Sequence, residues 1–290
     1  MDDIRALASE RLWDRARLDA DYTARTCVSA AEFERIIGLY AERSKAALAL
    51  AGNHLALRFD DLSHERMDVF STVPGQLRPV VLFIHGGYWR ALSRQHSAFM
   101  APMLAEFGIA TAVPDYTLAP AASLTEITRQ MRAAVAWLWQ NGPALGIDRS
   151  RIVVAGSSAG GHLAAALVMP GWQAGFGLPE CAIRAALPVS GLFELAPLAS
   201  SHIQDWMRFT DAELAALSPL RHLPAPRVPM VVALAGTETA GFERQSAAYA
   251  LATGADLLRI EGRNHFDVIL DLCSAQNALS GALLRLCGIR

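Results

Sequence analysis

The sequence predicts an α/β fold: one doubly wound domain with an eight-stranded, mostly parallel sheet, helices on both faces and a helical segment ahead of it. Three observations carry this. Short apolar runs alternate with helical patterns from His54 onward, later runs such as VVLFI and IVVAG are solidly apolar, and residues 1–50 contain no strand-like run. Solidly apolar strands suit a parallel sheet covered on both faces, whereas half-exposed strands alternate polar and apolar residues.

Residues 1–53 read as a helical cap segment and 54–290 as the sheet-bearing domain, with 31–50 (AEFERIIGLYAERSKAALAL) showing apolar residues at helical spacing up to Gly52-Asn53. Strands are expected at 54–59, 66–71, 79–84, 109–114, 151–155, 184–189, 229–235 and 255–260. The first two alternate and lie close together, as an antiparallel edge pair would. Helices are expected at 93–107, 123–140, 158–169, 241–253 and 268–286. The stretch 195–229 is longer than a simple crossover and contains Trp206, Met207 and Phe209. It reads either as a lid over a site or as ordinary surface helices.

Composition bounds the partners. With 52% hydrophobic and 19% charged residues among 290, the chain can bury a large core. Lys+Arg 26 against Asp+Glu 28 gives a net charge of −2 without a basic stripe, which argues against nucleic acid. Cys27, Cys181, Cys273 and Cys287 form no CxxC pair and read as free thiols of a reducing compartment. The opening MDDIRALASERLWDRARLDADY lacks the apolar run of a secretory signal, and no segment has the ~18 uninterrupted apolar residues of a membrane helix. A cytoplasmic protein is expected, with a small ester or amide as partner, no membrane, no metal and no cofactor. Homodimer formation is left open.

Chemistry concentrates in two strings. Gly156-Ser157-Ser158-Ala159-Gly160 directly follows the strand RIVVA and precedes the helical HLAAALVM. In such a strand–turn–helix elbow the middle serine projects from the sheet edge, small flanking residues permit the turn, and the helix N-terminus favours negative charge. Ser158 is therefore the candidate nucleophile. A serine hydroxyl needs a base within hydrogen-bond reach, and elbows of this kind have the chain order serine, acid, histidine. Of the histidines after Ser158, His162 is tied to the nucleophile's own helix, and His202 and His222 fall in the insertion. His265, in the loop GRNHFD after the last strand, is the candidate base. Glu238, the first carboxylate after the strand VPMVVALAG, is the candidate acid, with Glu243 and Glu194 as alternatives and Asp267 too near His265 in sequence.

His85-Gly86-Gly87-Tyr88-Trp89 directly follows VVLFI. Its two glycines let backbone N–H groups face a ligand, and Gly86, Gly87 and Ala159 are the expected oxyanion donors. His85 is expected to brace the loop. Tyr88, Trp206, Phe209 and Phe266 are candidate pocket walls; Trp89 fits pocket and core equally.

With these strings placed, the chain from about Leu57 onward resembles the kynurenine formamidase (arylformamidase) branch of the α/β-hydrolases, near the hormone-sensitive-lipase-like esterases. The resemblance rests on HGGYW, GSSAGGHLAA, YTLAP (116–120), VSGLFELAPL (189–198), FERQS (242–246) and NHFDVI (264–269). The N-terminal DYTAR…LYAERS looks like a helical segment that partly caps the site in bacterial relatives. The resemblance implies Ser158 as nucleophile, His265 as base, and Gly86, Gly87 and Ala159 as oxyanion donors. Glu238 stands where that family commonly has aspartate. It further implies acyl transfer on an aryl formamide or a short-acyl ester, with a non-catalytic binding protein of the same fold as the alternative.

Overall fold

The computed structural model describes residues 2–224 and 228–289. One eight-stranded sheet runs in the order β1-β2-β4-β3-β5-β6-β7-β8. Its strands are β1 His54–Arg58, β2 Arg66–Phe70, β3 Arg78–Ile84, β4 Ala110–Pro114, β5 Ile147–Ser157, β6 Ala185–Val189, β7 Val231–Thr237 and β8 Asp256–Asn264. β1 and β2 pair antiparallel, β2 joins β4 antiparallel, and every other neighbouring pair is parallel. Each strand lies within three residues of its expected bounds at either end, apart from the early start of β5 and the late end of β8.

The α-helices are α1 Asp2–Ser9, α2 Arg15–Tyr22, α3 Ala30–Lys45, α4 Ala101–Glu106, α5 Leu124–Leu145, α6 Ala159–Leu167, α7 Gln204–Met207, α8 Asp211–Leu217, α9 Ala240–Thr253 and α10 Ala278–Leu286. Along β3, Val80, Leu82 and Ile84 enter one core while Val81 and Phe83 enter another on the opposite face. Burial on both faces explains why the run carries no polar alternation.

Three helices differ from expectation for local reasons. The segment 93–107 splits into a 3₁₀ turn, Arg94–His96, and α4, where Pro102 occupies the first turn, a position proline tolerates. The last helix splits into a 3₁₀ segment, Asp267–Cys273, and α10, because Asn277 and Ser280 both donate side-chain hydrogen bonds to the Asp271 carbonyl (3.0 and 2.9 Å). α5 continues through Pro143 and stops at Gly146, whose φ of +90° supplies the left-handed cap and whose absent Cβ would sit 2.1 Å from the Val73 carbonyl oxygen.

Strand order locates the site. After β3 the chain moves outward to β4, then returns through α5 to β5 on the other side of β3. The carboxyl ends of β3 and β5 therefore border the crevice where the winding reverses, the place an open α/β sheet presents to ligands. His85–Trp89 and Ser158 sit on those two ends.

Candidate active site

Ser158 occupies a strained elbow between β5 and α6, with φ +57° and ψ −117°. A non-glycine residue there costs on the order of 1–3 kcal/mol and persists only where its surroundings enforce it. The Ser158 N–H donates to the Val189 carbonyl at 2.9 Å, and its own carbonyl accepts from the His162 N–H at 3.0 Å. Gly156 and Gly160 allow the close approach: a Cβ on the first would lie 2.3 Å from the Gly160 oxygen, and on the second 2.0 Å from the Ile84 oxygen.

His265 follows β8 and Glu238 follows β7. Their contact is short: His265 Nδ1–H donates to Glu238 Oε2 at 2.7 Å, with both side chains buried. The other oxygen, Oε1, accepts from the Ser190 hydroxyl and, at 3.4 Å, from the Ala235 N–H. Donation from Nδ1 leaves Nε2 without that proton, so it can accept one. His265 and Ser158 line one cavity of about 520 Å³, and no hydrogen bond joins their side chains in this structure.

The other carboxylates are engaged elsewhere. Glu194 is buried against Arg221 (2.7 Å), Glu243 pairs with Arg259, and Asp267 accepts from the Asn264 N–H at 2.6 Å. His162 Nε2–H donates to the Leu217 carbonyl at 2.8 Å, and His222 Nε2–H donates to the Ala215 carbonyl.

Gly86 is packed against the elbow: a Cβ there would lie 2.8 Å from the Ser157 oxygen and 3.2 Å from the Ser158 Cβ. Gly87, Tyr88 and Trp89 follow with φ of +90°, +47° and +57°. Among the described residues, the N–H groups of Gly86, Gly87 and Ala159 find no hydrogen-bond acceptor, which leaves three donors near the serine. His85 braces this loop from beneath. Its Nδ1 meets the Gly86 carbonyl at 3.0 Å, and its ring stacks on Tyr116 at 4.1 Å. The Tyr116 hydroxyl in turn contacts the carbonyls of His85 and Gly86 (3.1 and 3.0 Å). Burial pushes His85 down to about 4, so it is neutral near pH 7.

The cavity wall divides the expected pocket residues. Tyr88, Trp206 and Phe266 line it. Trp89 and Phe209 do not: they are buried in the core with ring centroids 6.1 Å apart, and Trp89 also packs edge-on against His162. Tyr88 and Trp89 both have positive φ, and their rings meet edge-on with centroids 6.3 Å apart. Among the described residues of the insertion 195–229, only His202 and Trp206 reach the cavity, where Trp206 donates its indole N–H to the Tyr88 carbonyl at 3.2 Å.

Another wall belongs to the N-terminal segment, Thr23, Ala24 and Arg25, then Phe33, Ile37 and Tyr40 of α3, while Arg90, Ala91, Leu92 and Ile269 also line the cavity. The spacing 33, 37, 40 is a helical face, legible in the sequence as a face but not by what it meets. Ser190 and Tyr116 also went unassigned in the sequence, although both lie in the strings that carry the resemblance. Among the described residues, no group of His, Cys, Asp or Glu could hold a metal ion, and no helix is long and apolar enough to cross a membrane. The four cysteines are free thiols.

Comparison with known proteins agrees with this architecture. The BD-FAE family model matches residues 67–176. Kynurenine formamidase of Salmo salar is 27% identical over 99% of this chain and 96% of its own length. An esterase of Gibberella moniliformis is 27% identical over 72% of this chain and 74% of its own. Among solved structures, a candidate thioesterase from Silicibacter sp. TM1040 superimposes with a TM-score of 0.75 at 28% identity, covering 93% of this chain and 97% of that one. An esterase from Pyrobaculum calidifontis shares the fold with a TM-score of 0.73 at 17% identity, covering 91% and 94%.

Proposed function

As an α/β-hydrolase similar to kynurenine formamidases and esterases, this chain is a hydrolase, and we propose that it is a serine hydrolase cleaving short-acyl carboxylic esters or aryl formamides through Ser158, His265 and Glu238. The observation that carries the reading is the 2.7 Å His265–Glu238 pair lining the same cavity as a serine strained at φ +57°.

In the mechanism, Ser158 Oγ attacks the substrate carbonyl carbon as His265 Nε2 takes its proton. Glu238 keeps the ring oriented and stabilises the imidazolium without itself becoming protonated. The N–H groups of Gly86, Gly87 and Ala159 hold the tetrahedral oxyanion; such donors are worth ~10²–10³ each in rate. Collapse passes the proton from His265 to the departing amine or alcohol and leaves an acyl-serine. Water, deprotonated by the same imidazole, then releases formate or another carboxylate and restores the serine.

The substrate class follows from the walls. Phe33, Tyr40, Tyr88, Trp206 and Phe266 supply aromatic faces for an aryl leaving group, while the glycine loop lies tight against the serine. A panel of N-formylkynurenine with acetyl and butyryl p-nitrophenyl esters, run with wild type and Ser158→Ala, tests the reading. Wild type should turn over at least one of these, and Ser158→Ala should lose ~10⁴-fold or more along with covalent labelling by a fluorophosphonate. A Ser158→Ala protein retaining most of its rate would overturn the assignment. Preference for the formamide by orders of magnitude would name the activity, and comparable rates would make it a generalist esterase.

A further inference from the structure

Three hydrogen bonds join the N-terminal segment to the site, and each has one end a single residue from a member of the proposed machinery. Tyr40 of α3 donates its hydroxyl to the carbonyl of Phe266, the residue after His265. Thr239, the residue after Glu238, donates its hydroxyl to the Asp21 carbonyl at 2.5 Å. Tyr88, the residue after Gly87, donates its hydroxyl to the Tyr22 carbonyl. The three loops leave different strands, β8, β7 and β3, yet one stretch of chain touches all of them.

The Thr239 bond is not the one its position ordinarily makes. Thr239 is the N-cap of α9, where a hydroxyl normally accepts from an N–H of the first helical turn. Here it makes no cap bond and donates outward instead. The segment also has its own anchor. Arg244 of α9 bonds Glu10 and Asp21, each at 2.6 Å, and the buried Tyr22 hydroxyl donates to Glu10 at 3.1 Å. Gly241 admits this contact, since a Cβ there would lie 2.6 Å from the Asp21 oxygen.

We infer that residues 21–40 form a strap that holds the acid and base loops in register, with Thr239 and Tyr40 as positioning residues for Glu238 and His265. The inference rests on the Ser158–His265–Glu238 reading above. Neither hydroxyl is spent on substrate; each ties a loop to a fixed body. Displacing a reacting group by an ångström can cost ~10²-fold in rate, so partial loosening should cost less.

The test uses the full chain with Thr239→Val, Thr239→Ser and Tyr40→Phe, and Arg35→Ala on the exposed face of α3 as control. Hydrolysis of p-nitrophenyl acetate, the rate of fluorophosphonate labelling and Tm are measured well below the melting range. Thr239→Val and Tyr40→Phe should lower kcat about tenfold with KM nearly unchanged and slow labelling in parallel. Thr239→Ser should recover wild-type rates, and Arg35→Ala should match wild type. Unchanged kcat and labelling in both donor-less variants, even with a lowered Tm, would overturn the strap as a positioning element. Should one of them fail to fold, the other carries the same prediction. A wild-type protein that neither hydrolyses nor labels refutes the parent reading and this one with it, and is distinguished by failing before any substitution is made.

Discussion

Glu238 and His265, 27 residues apart in sequence, meet at 2.7 Å with the carboxylate excluded from solvent. The second carboxylate oxygen is spoken for by Ser190, which sits on the loop after β6, beside β5, the strand that runs into Ser158. Such a carboxylate can orient the ring and offset its charge at once.

Replacing that charge should be costly to rate and mild to structure. Glu238→Gln keeps the side-chain shape but removes the anion that stabilises an imidazolium. A fall in kcat of about 10³–10⁴-fold, with a Tm close to wild type, is expected from steady-state kinetics and thermal melting. A loss under tenfold would mean that Glu238 is not the partner acid.

Gly86→Ala tests the oxyanion loop. The new Cβ would press on the Ser157 carbonyl and the Ser158 Cβ at 2.8 and 3.2 Å, and neither neighbour is the free end of a flexible chain. Loop or elbow must shift, displacing a donor, and kcat should fall roughly 10²-fold. An unaffected kcat would remove Gly86 from the machinery.

Trp206 borders two cavities, the one that holds Ser158 and His265 and a second of about 490 Å³ lined by Pro120, Thr125 and Thr210. It is held there by a 3.2 Å bond to Tyr88 and by the Arg90 guanidinium 3.9 Å over its ring. Trp206→Ala should join the spaces. The expected outcome is a shift of the acyl-length profile across p-nitrophenyl esters, with longer chains gaining about tenfold relative to acetate. A profile of unchanged shape would show that the ring limits nothing.

Stability should fall with acid in a defined window. His85 and His162 are buried neutral, their pKa values pushed from 6.5 down to about 4 by desolvation. Between those values the unfolded chain binds protons that the native state excludes. Their contribution is therefore complete above about pH 6.5 and declines as pH falls toward 4. Tm measured across that range should drop. His162→Gln, although less stable overall, should show a shallower slope; an equally steep one would assign the transition to other groups.

The local signals in the sequence were strong where one strand or one turn decides the outcome. The central strands β3 and β5 were legible because Val80–Ile84 and Ile152–Ala155 are buried on both faces and carry only apolar residues. The elbow was legible because only small residues fit between Ile84 and Gly160. The helices that broke early did so through Pro102 and through side-chain bonds to the Asp271 carbonyl, effects that hydrophobic spacing does not register.

What the sequence alone determined is the sheet, the elbow serine and the loops that bear an acid and a histidine, since period and turn chemistry are properties of neighbouring residues. The tertiary structure alone decided that Trp89 and Phe209 belong to the core, that Ser190 backs Glu238, and that α3 supplies a wall of the cavity. Those outcomes depend on which surfaces meet after the chain has closed. Pairing across dozens of residues leaves no periodic trace in either partner.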